Sequence, residues 1–433
     1  MLESICSLLL GISIGMLVGL APGIGITASL VFMYGFLIEQ SLLFNLIFYS
    51  TLLSTTQYFG SVPTLLLGIP GETTGLPLMK LRDQLIRENK LEETLVGTSI
   101  GSFISAVISC LLCWYLIPNI SNMLFYFKTY MVLIFSATGF LLSIIFSDNR
   151  WYQSFLIFMF GWLCSKIGFN AHSKEEFLTF NNIYLFGGLP TISVIFGLYG
   201  IPKIVDFFKI NKPTSDYTIK SKLEVKTIWK FRFVIVRSTF IGFFSGLIPF
   251  CGNYMSSFIA FFVQKKLSPN NVVSQALSSE TANNSGYISV LLPLLAMGIA
   301  LTPTEYLLID ILEQNNLSLT KNSVFNILPI VLVVLIFANI ICMLISWKTV
   351  SYVILFYQKI YLFVPIFFIV LGIFTIYNAG ERYSQEYYYL IVFGVFSIIG
   401  FMFRNYDTVP FIFAFLMQNN IESAVTYTKA LYF

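Results

Sequence analysis

Charge is what this chain of 433 residues has least of: Asp, Glu, Lys and Arg make up 11% of it. Soluble domains carry about 25%. His occurs once, which excludes the paired-His H-E-x-x-H site of a zinc protease. His172 sits beside Ser173 and Lys174 in a stretch that reads as a solvated external loop. An aspartyl intramembrane protease needs two buried Asp, and Asp83, Asp148, Asp206, Asp216, Asp310 and Asp407 all fall in loops or at the ends of apolar runs. A Walker A pattern is missing, which argues against ATP-driven pumping by this chain. No long basic run is present either: the net charge of +4 comes from Lys and Arg spread through loops, so a nucleic-acid partner is not expected. The six Cys lie mostly inside apolar stretches. Cys110 and Cys113 form a C-x-x-C, but with no second pair and no ligand His they read as packing residues. The first apolar run, Ile5 to Leu20, lacks a basic leader and an A-x-A cleavage site, so it reads as structure.

What the chain has is apolar surface: 57% hydrophobic residues, with 45 Phe and 24 Tyr. That composition suits a lipid-facing surface with aromatic belts at its two interfaces. A membrane span takes roughly 20 mostly apolar residues. Thr94–Ile117, Thr129–Ser147, Tyr152–Phe169, Ile183–Ile201, Ser323–Trp347, Ser351–Tyr377 and Tyr387–Phe403 qualify. The regions 5–39, 41–71 and 233–303 are apolar but interrupted by Pro, Gly and hydroxyl residues. The stretch 203–232 holds eight Lys or Arg and is expected to be a cytoplasmic linker between a first membrane unit, 1–202, and a second, 233–433. Alternating outward from it places 18 of the 25 Lys and Arg on the cytoplasmic side.

The two units echo each other. GMLVGLAPGIG (15–25) and GFFSGLIPFCG (242–252) share G-x-x-x-G-L-x-P-x-x-G at an offset of 227. PTLLLGI (63–69) and PLLAMGI (293–299) share P-x-x-x-x-G-I at an offset of 230. Two matches at nearly one offset argue for duplication. Equivalent loops carry opposite charge: 72–93 is rich in Lys and Arg, whereas 304–322 holds Glu305, Asp310 and Glu313 against Lys321. An inverted-topology repeat gives that pattern. The expected fold is therefore an all-α polytopic membrane protein of two inverted repeats with broken or re-entrant helices, about 10–12 membrane segments in all.

A Pro-Gly break frees backbone groups that hydrocarbon cannot satisfy, so breaks persist where they line a cavity or an ion site. The helix restarting after a break offers N–H groups and partial positive charge to an anion. No Lys or Arg lies in the middle of the broken segments. Backbone and hydroxyl groups must then hold an anionic substrate. The candidate substrate-binding residues are Gly23, Gly25 and Thr27 at the first break, and Gly252, Asn253 and Ser256 at the second. Tyr58, Ser61, Pro70 and Gly71 line the other broken segment. The run Ser278-Ser279-Glu280-Thr281-Ala282-Asn283-Asn284-Ser285 puts an acid and two amides between apolar stretches, where polar groups are costly and mark an ion or solute path. Glu280, Asn283, Asn284 and Ser285 are the candidates for coupling to a cation, with Na⁺ near Asn283 and Asn284 or a proton on Glu280. A channel is the closest rival class, since broken helices also build selectivity filters.

These same segments resemble the large membrane subunit of the tripartite tricarboxylate transporters, the TctA-like permease family, almost end to end. GLAPGIG (19–25) and GLIPFCGN (246–253) resemble its two Pro-Gly motifs, QYFGSVPTLLLGIPGE (57–72) its first signature, and SSETANNSGYISVLLPLLAMGI (278–299) its second. The resemblance implies a multi-pass permease of the cytoplasmic (inner) membrane that carries di- or tricarboxylates on a Na⁺ or proton gradient. It also implies two partners, a small membrane subunit and an extracytoplasmic solute-binding protein. The chain departs from the family pattern at ETTGLPLMKL (72–81), which is shortened and lacks an Asp-Gly. It departs again at MGIALTP (297–303), where the Pro is displaced.

Overall fold

The computed structural model describes residues 2–20, 25–67, 73–145, 147, 149–170, 175–207, 229–249, 252–348, 359, 363–381 and 384–418. Helices α1 (Leu2–Leu20) and α2 (Gly25–Leu37) flank the first Pro-Gly motif, and α3 (Leu42–Leu67) runs through Pro63. A 3-10 turn, Thr73–Gly75, opens α4 (Leu76–Arg87), which is followed by α5 (Leu91–Ile145) and α6 (Trp151–Ser165). An antiparallel ribbon pairs Gly168–Asn170 with Glu175–Phe177 and leads to α7 (Ile183–Phe186). Helix α8 (Thr191–Ile195) then passes through a π turn, Phe196–Gly200, into α9 (Ile201–Phe207). The second half comprises α10 (Arg232–Gly246), α11 (Gly252–Leu267), α12 (Val272–Ser289), α13 (Leu291–Met297), α14 (Pro303–Gln314), α15 (Lys321–Lys348), α16 (Phe363–Glu381), α17 (Glu386–Met402) and α18 (Val409–Gln418).

Helices α1 and α2 form a hairpin. The Ser7 hydroxyl donates to the Phe44 carbonyl at 2.7 Å, while Gly15 lies against Thr55 and Gly19 against Thr56 and Phe59, so α1 runs parallel to α3. Helix α2 returns, and the Asn45 amide donates to the Leu37 and Gln40 carbonyls at 3.1 and 3.2 Å. Both ends of the hairpin therefore sit at the start of α3. The pair α10–α11 does the same against α12. Ser238 meets Ser278 at 2.7 Å, Gly242 lies on Ala282 and Gly246 on Gly286; on the return, the Ser278 hydroxyl donates to the Ala260 carbonyl at 3.0 Å. The repeated G-x-x-x-G thus has a packing role: at Gly15, Gly19, Gly242 and Gly246 any side chain would collide with the facing helix.

The two hairpins enter from opposite ends. Helix α15 runs parallel to α3, through Ser54–Asn339 at 3.0 Å and Thr55–Cys342 at 3.4 Å. Helix α5 runs parallel to α12, through Asn284–Ser102 at 2.8 Å and Ser109–Ser285 at 2.7 Å. Ser99, near the start of α5, meets Ser346, near the end of α15, at 2.6 Å, so the two pairs run in opposite directions. Helix boundaries also keep the sequence offsets. Gly25 and Gly252 start α2 and α11, 227 residues apart. Leu42–Leu67 maps onto Val272–Met297 with a shift of 230, and Leu76–Arg87 maps onto Pro303–Gln314 with a shift of 227.

Several expectations need correction. The spans Thr94–Ile117 and Thr129–Ser147 correspond to the apolar stretches Leu91–Asn119 and Tyr130–Ile145, but no loop parts them: α5 is helical from Leu91 to Ile145, through Pro118. Within region 41–71, α3 stays helical through Gly60, Ser61 and Pro63 to Leu67, with the Thr64 hydroxyl donating to the Gly60 carbonyl at 2.9 Å and Ser61 to Tyr58 at 3.1 Å; Pro70 and Gly71 lie outside the described residues. The loops 72–93 and 304–322 contain full helices, α4 and α14. The span Ile183–Ile201 is broken instead at Gly187–Pro190, where Gly188 takes φ +81° and Pro190 caps α8. The outer surface is apolar, with Phe233 71% and Phe363 69% exposed, as lipid contact requires.

Candidate transport site

Every residue of α12 is buried, including Glu280 at 1% and Asn283 and Asn284 at 2% exposure. A helix carrying Ser-Ser-Glu-Thr-Ala-Asn-Asn-Ser can be buried only if neighbouring helices supply partners. Several do. The Asn283 side-chain N–H₂ donates to Gln57 Oε1 on α3 at 2.9 Å, and the same oxygen accepts the Thr74 hydroxyl at 3.3 Å. The Asn284 N–H₂ donates to the Ser102 hydroxyl on α5 at 2.8 Å and to the Glu280 backbone carbonyl at 3.1 Å. Glu280 lies beside the Asn283 side chain.

Other polar atoms here have no hydrogen-bond partner among the described residues: Glu280 Oε2, Asn283 Oδ1, Asn284 Oδ1, and the hydroxyls of Thr56, Ser257, Ser279 and Thr281. An unsatisfied buried polar group costs about 1–3 kcal/mol. Five of these atoms belong to α12, which makes that helix the candidate site.

The last turns of α1 and α10, the entering arms of the two hairpins, approach this crossing. The first ends against Thr56 and Phe59, flanking Gln57; the second ends against Gly286 and Ser289, about two turns or less beyond Asn283. Gly25 opens α2 with φ +70°, a left-handed conformation that glycine adopts without strain. The Thr27 hydroxyl meets Thr304 of α14 at 3.1 Å.

The remaining sequence candidates are distributed as follows. Gly252 is buried at the head of α11, and its N–H donates to the Ile248 carbonyl at 2.9 Å. The Ser256 hydroxyl bonds the Gly252 carbonyl at 2.7 Å and faces Ser245 at 3.0 Å, so it stitches the second hairpin together. Tyr58 is buried and donates to the Ser99 carbonyl, and Ser61 bonds back to Tyr58. Ser285 donates to the Thr239 carbonyl at 2.7 Å and pairs with Ser109. In this arrangement Gly252, Ser256, Tyr58, Ser61 and Ser285 have their polar groups occupied, whereas Glu280, Asn283 and Asn284 keep free acceptors. Gly23, Pro70 and Gly71, the Asn253 side chain and His172 lie outside the described residues.

Sequence reasoning missed the acids of α14. Glu305 is fully buried: its Oε2 accepts the Leu301 and Thr302 N–H groups at 2.5 and 3.1 Å, and Tyr49 approaches Oε1 at 3.5 Å. The Thr302-x-x-Glu305 capping box was the available signal. Further along α14, Asp310 accepts the Tyr34 hydroxyl of α2 at 2.5 Å. That contact borders a cavity of about 470 Å³ lined by Tyr34, Thr191, Asp310, Gln314, Gln385 and Tyr388. Two G-x-S-x-G runs, Gly11–Gly15 and Gly97–Gly101, lie within helices, and their serines bond the Leu9 carbonyl and Ser346. A nucleophile elbow needs a strand-to-helix turn instead. No cluster of three metal-ligating side chains occurs among the described residues.

All-α architecture, three helices among the described residues long and apolar enough to cross a bilayer, and a lipid-type exterior define a multi-pass membrane protein. The chain belongs to the tripartite tricarboxylate transporter TctA family, whose profile matches residues 5–413. That family is one of transporters. It is 25% identical over 312 residues to an uncharacterized 52.8 kDa protein in the TAR-I ttuC' 3' region of Agrobacterium vitis, covering 69% of this chain and 61% of that relative. It is also 25% identical over 435 residues to an uncharacterized protein of Methanocaldococcus jannaschii, covering 98% of each. No solved structure matches.

Proposed function

We propose that this chain is the permease of a secondary active carrier for small carboxylates, di- or tricarboxylates, driven by a Na⁺ or proton gradient across the cytoplasmic membrane. A small membrane subunit and an extracytoplasmic solute-binding protein would complete it. The observation that carries the reading is the pair of helical hairpins entering from opposite ends onto one buried polar crossing of α3, α5 and α12. In this reading α1–α5 and α10–α15 are copies of one unit in inverted orientation, and alternating access is the movement of one hairpin and then the other against the crossing. The N-terminal ends of α2 and α11 would face the substrate's carboxylates, and Glu280, Asn283 and Asn284 the coupling cation.

Uptake of labelled citrate and succinate into proteoliposomes under an imposed Na⁺ or proton gradient tests this, with and without the solute-binding protein. Saturable, gradient-dependent uptake that is lost in Asn283→Ala/Asn284→Ala supports the reading. Absence of uptake of any carboxylate removes the substrate class.

A further inference from the structure

The starts of α5, α10 and α12 meet the end of α11 at one end of the bundle. Lys230, just ahead of α10, pairs with Glu93 of α5 at 2.7 Å, and Gln264 of α11 donates to the Ser274 hydroxyl of α12 at 2.9 Å. Here lies a cavity of about 420 Å³, lined among others by Lys90, Glu93, Lys230, Ser268, Asn270 and Asn271. Sites for small molecules have this size. The segments 84–93, 229–232 and 264–271 carry six Lys or Arg (Arg87, Lys90, Lys230, Arg232, Lys265, Lys266) against three acids (Glu88, Glu92, Glu93). Lys90 is held by Glu88 at 2.6 Å and Lys230 by Glu93, whereas Arg232, Lys265 and Lys266 form no ion pair among the described residues. The rim of the cavity therefore keeps an excess of positive charge.

An apolar strip starts where the charge ends. The Arg232 guanidinium lies 5.1 Å from the Trp229 ring and 4.6 Å from the Phe233 ring, and both rings are exposed. Aromatic and basic side chains so combined belong at headgroup level. From there Phe233, Val236, Phe240 and Phe244 recur at helical spacing, all exposed, as one face of α10. Arg237, alongside, turns inward to Gln264 Oε1 and leaves the strip apolar. At 1.5 Å per residue the strip is about 16 Å long. That is close to half of a hydrocarbon core of about 30 Å, the depth of one leaflet. A soluble anion would use the cavity alone; a cationic rim continuous with an apolar strip one leaflet deep matches a ligand that is anionic at one end and apolar at the other.

We propose that this end of the bundle binds an anionic phospholipid, with its headgroup in the cavity beside Lys90 and Lys230 and its acyl chains along the Phe233–Phe244 face of α10. Trp229 and Arg232 stand at the junction of the two. Bound there, the lipid bridges the starts of α5 and α10 and lies against Asn271, whose side chain caps α12, the helix that carries Glu280, Asn283 and Asn284. It braces the end from which that helix starts, whatever solute the protein carries.

Quenching of Trp229 by brominated lipid tests the proposal. The full-length protein is reconstituted into phosphatidylcholine vesicles that contain a small fixed fraction of phosphatidylglycerol brominated near the headgroup end of its chains, or the same fraction of brominated phosphatidylcholine. Bromine quenches tryptophan at contact, and subtracting the signal of Trp229→Phe isolates this residue from the other Trp. Trp229 is expected to be quenched more by phosphatidylglycerol than by phosphatidylcholine. The preference should fall about fivefold for each cation removed, in Lys230→Gln and in Arg232→Gln. Lys166→Gln, a basic residue next to Ser165 of the Tyr34–Asp310 cavity, should leave it unchanged. Quenching by brominated phosphatidylcholine in each variant reports insertion, so a fall caused by misfolding is recognised, and Lys90→Gln then gives an independent reading of the cavity. Equal quenching by the two lipids in wild type, or a preference that survives loss of Lys230 and Arg232 together, overturns the proposal. Excess glycerol phosphate, the headgroup without chains, present on both sides of the membrane, should not relieve the quenching; if it does, the cavity is a site for a soluble phosphate and the lipid assignment is overturned.

Discussion

Tyr34→Phe should open the outer face of the protein. The Tyr34 hydroxyl donates to Asp310 at 2.5 Å, tying α2, the returning arm of the first hairpin, to α14 at the edge of the 470 Å³ cavity. Thr27–Thr304 lies deeper along the same pair of helices. Residues at the equivalent positions of the second half, 227 further on for Tyr34 and 227 back for Asp310, are Phe261 and Asp83. Phe261 has no hydroxyl, and the Asp83 side chain is 83% exposed beside Arg82, so the polar latch exists on one face only. A hydrogen bond to a carboxylate contributes about 1.5–3 kcal/mol in soluble proteins. Interhelical bonds inside membrane proteins average nearer 0.6, reaching about 1.7. Taking about 1 kcal/mol, losing the hydroxyl shifts a closed–open equilibrium roughly fivefold toward open. Thr304→Cys in a cysteine-free background is a suitable reporter, since Thr304 is 9% exposed and lies deeper than the latch. Its labelling by an impermeant maleimide from outside should accelerate about fivefold in Tyr34→Phe. An unchanged rate, with Tyr34→Phe folded and in the membrane, would show that this contact does not hold the outer face closed.

Glu280→Gln removes a buried, incompletely partnered carboxyl, so transport should be lost while thermal stability holds or rises by about 1–2 kcal/mol, the cost of such a group; a marked fall in melting temperature would contradict this. Gly242→Ala drives a methyl into the Ala282 backbone and should destabilise by about 1–3 kcal/mol, whereas Gly60→Ala, with open space around it, should be nearly neutral; detergent unfolding curves of the two decide it. The charge-derived orientation places Lys90→Cys on the cytoplasmic face and Gln314→Cys outside, so impermeant reagents should label them from opposite sides in right-side-out and inverted vesicles. Labelling of both from one side would reject that orientation.

Where sequence and structure agree, the signal was local or periodic. The offsets of 227 and 230 recur in helix boundaries, with Gly25 and Gly252 each opening a helix. The Ser278–Ser285 run stood out because an acid and two amides have no place in an apolar helix without partners. What stayed hidden depends on which helix faces which. Gln57 is an ordinary polar residue until α3 crosses α12 and its oxygen takes the Asn283 amide. Ser285 looked free and is consumed by Ser109 and Thr239, a pairing that only the parallel packing of α5 and α10 on α12 supplies. Glu305 and Asp310 read as an acidic external loop because, with Glu313, they face a single Lys321 across 304–322. The Thr302 capping box turns the same residues into a helix, and Tyr49 and Tyr34 meet its acids. The repeated G-x-x-x-G was read chiefly as part of a break, yet its glycines are where α1 and α10 close onto α3 and α12.

The most direct test of the central claim is counterflow: labelled carboxylate outside proteoliposomes preloaded with the unlabelled compound, in the presence of Na⁺. A carrier that exposes one site alternately to each face predicts saturable uptake accelerated by internal substrate and abolished by Asn283→Ala/Asn284→Ala. Flux that neither saturates nor responds to internal substrate would contradict the account and identify a channel.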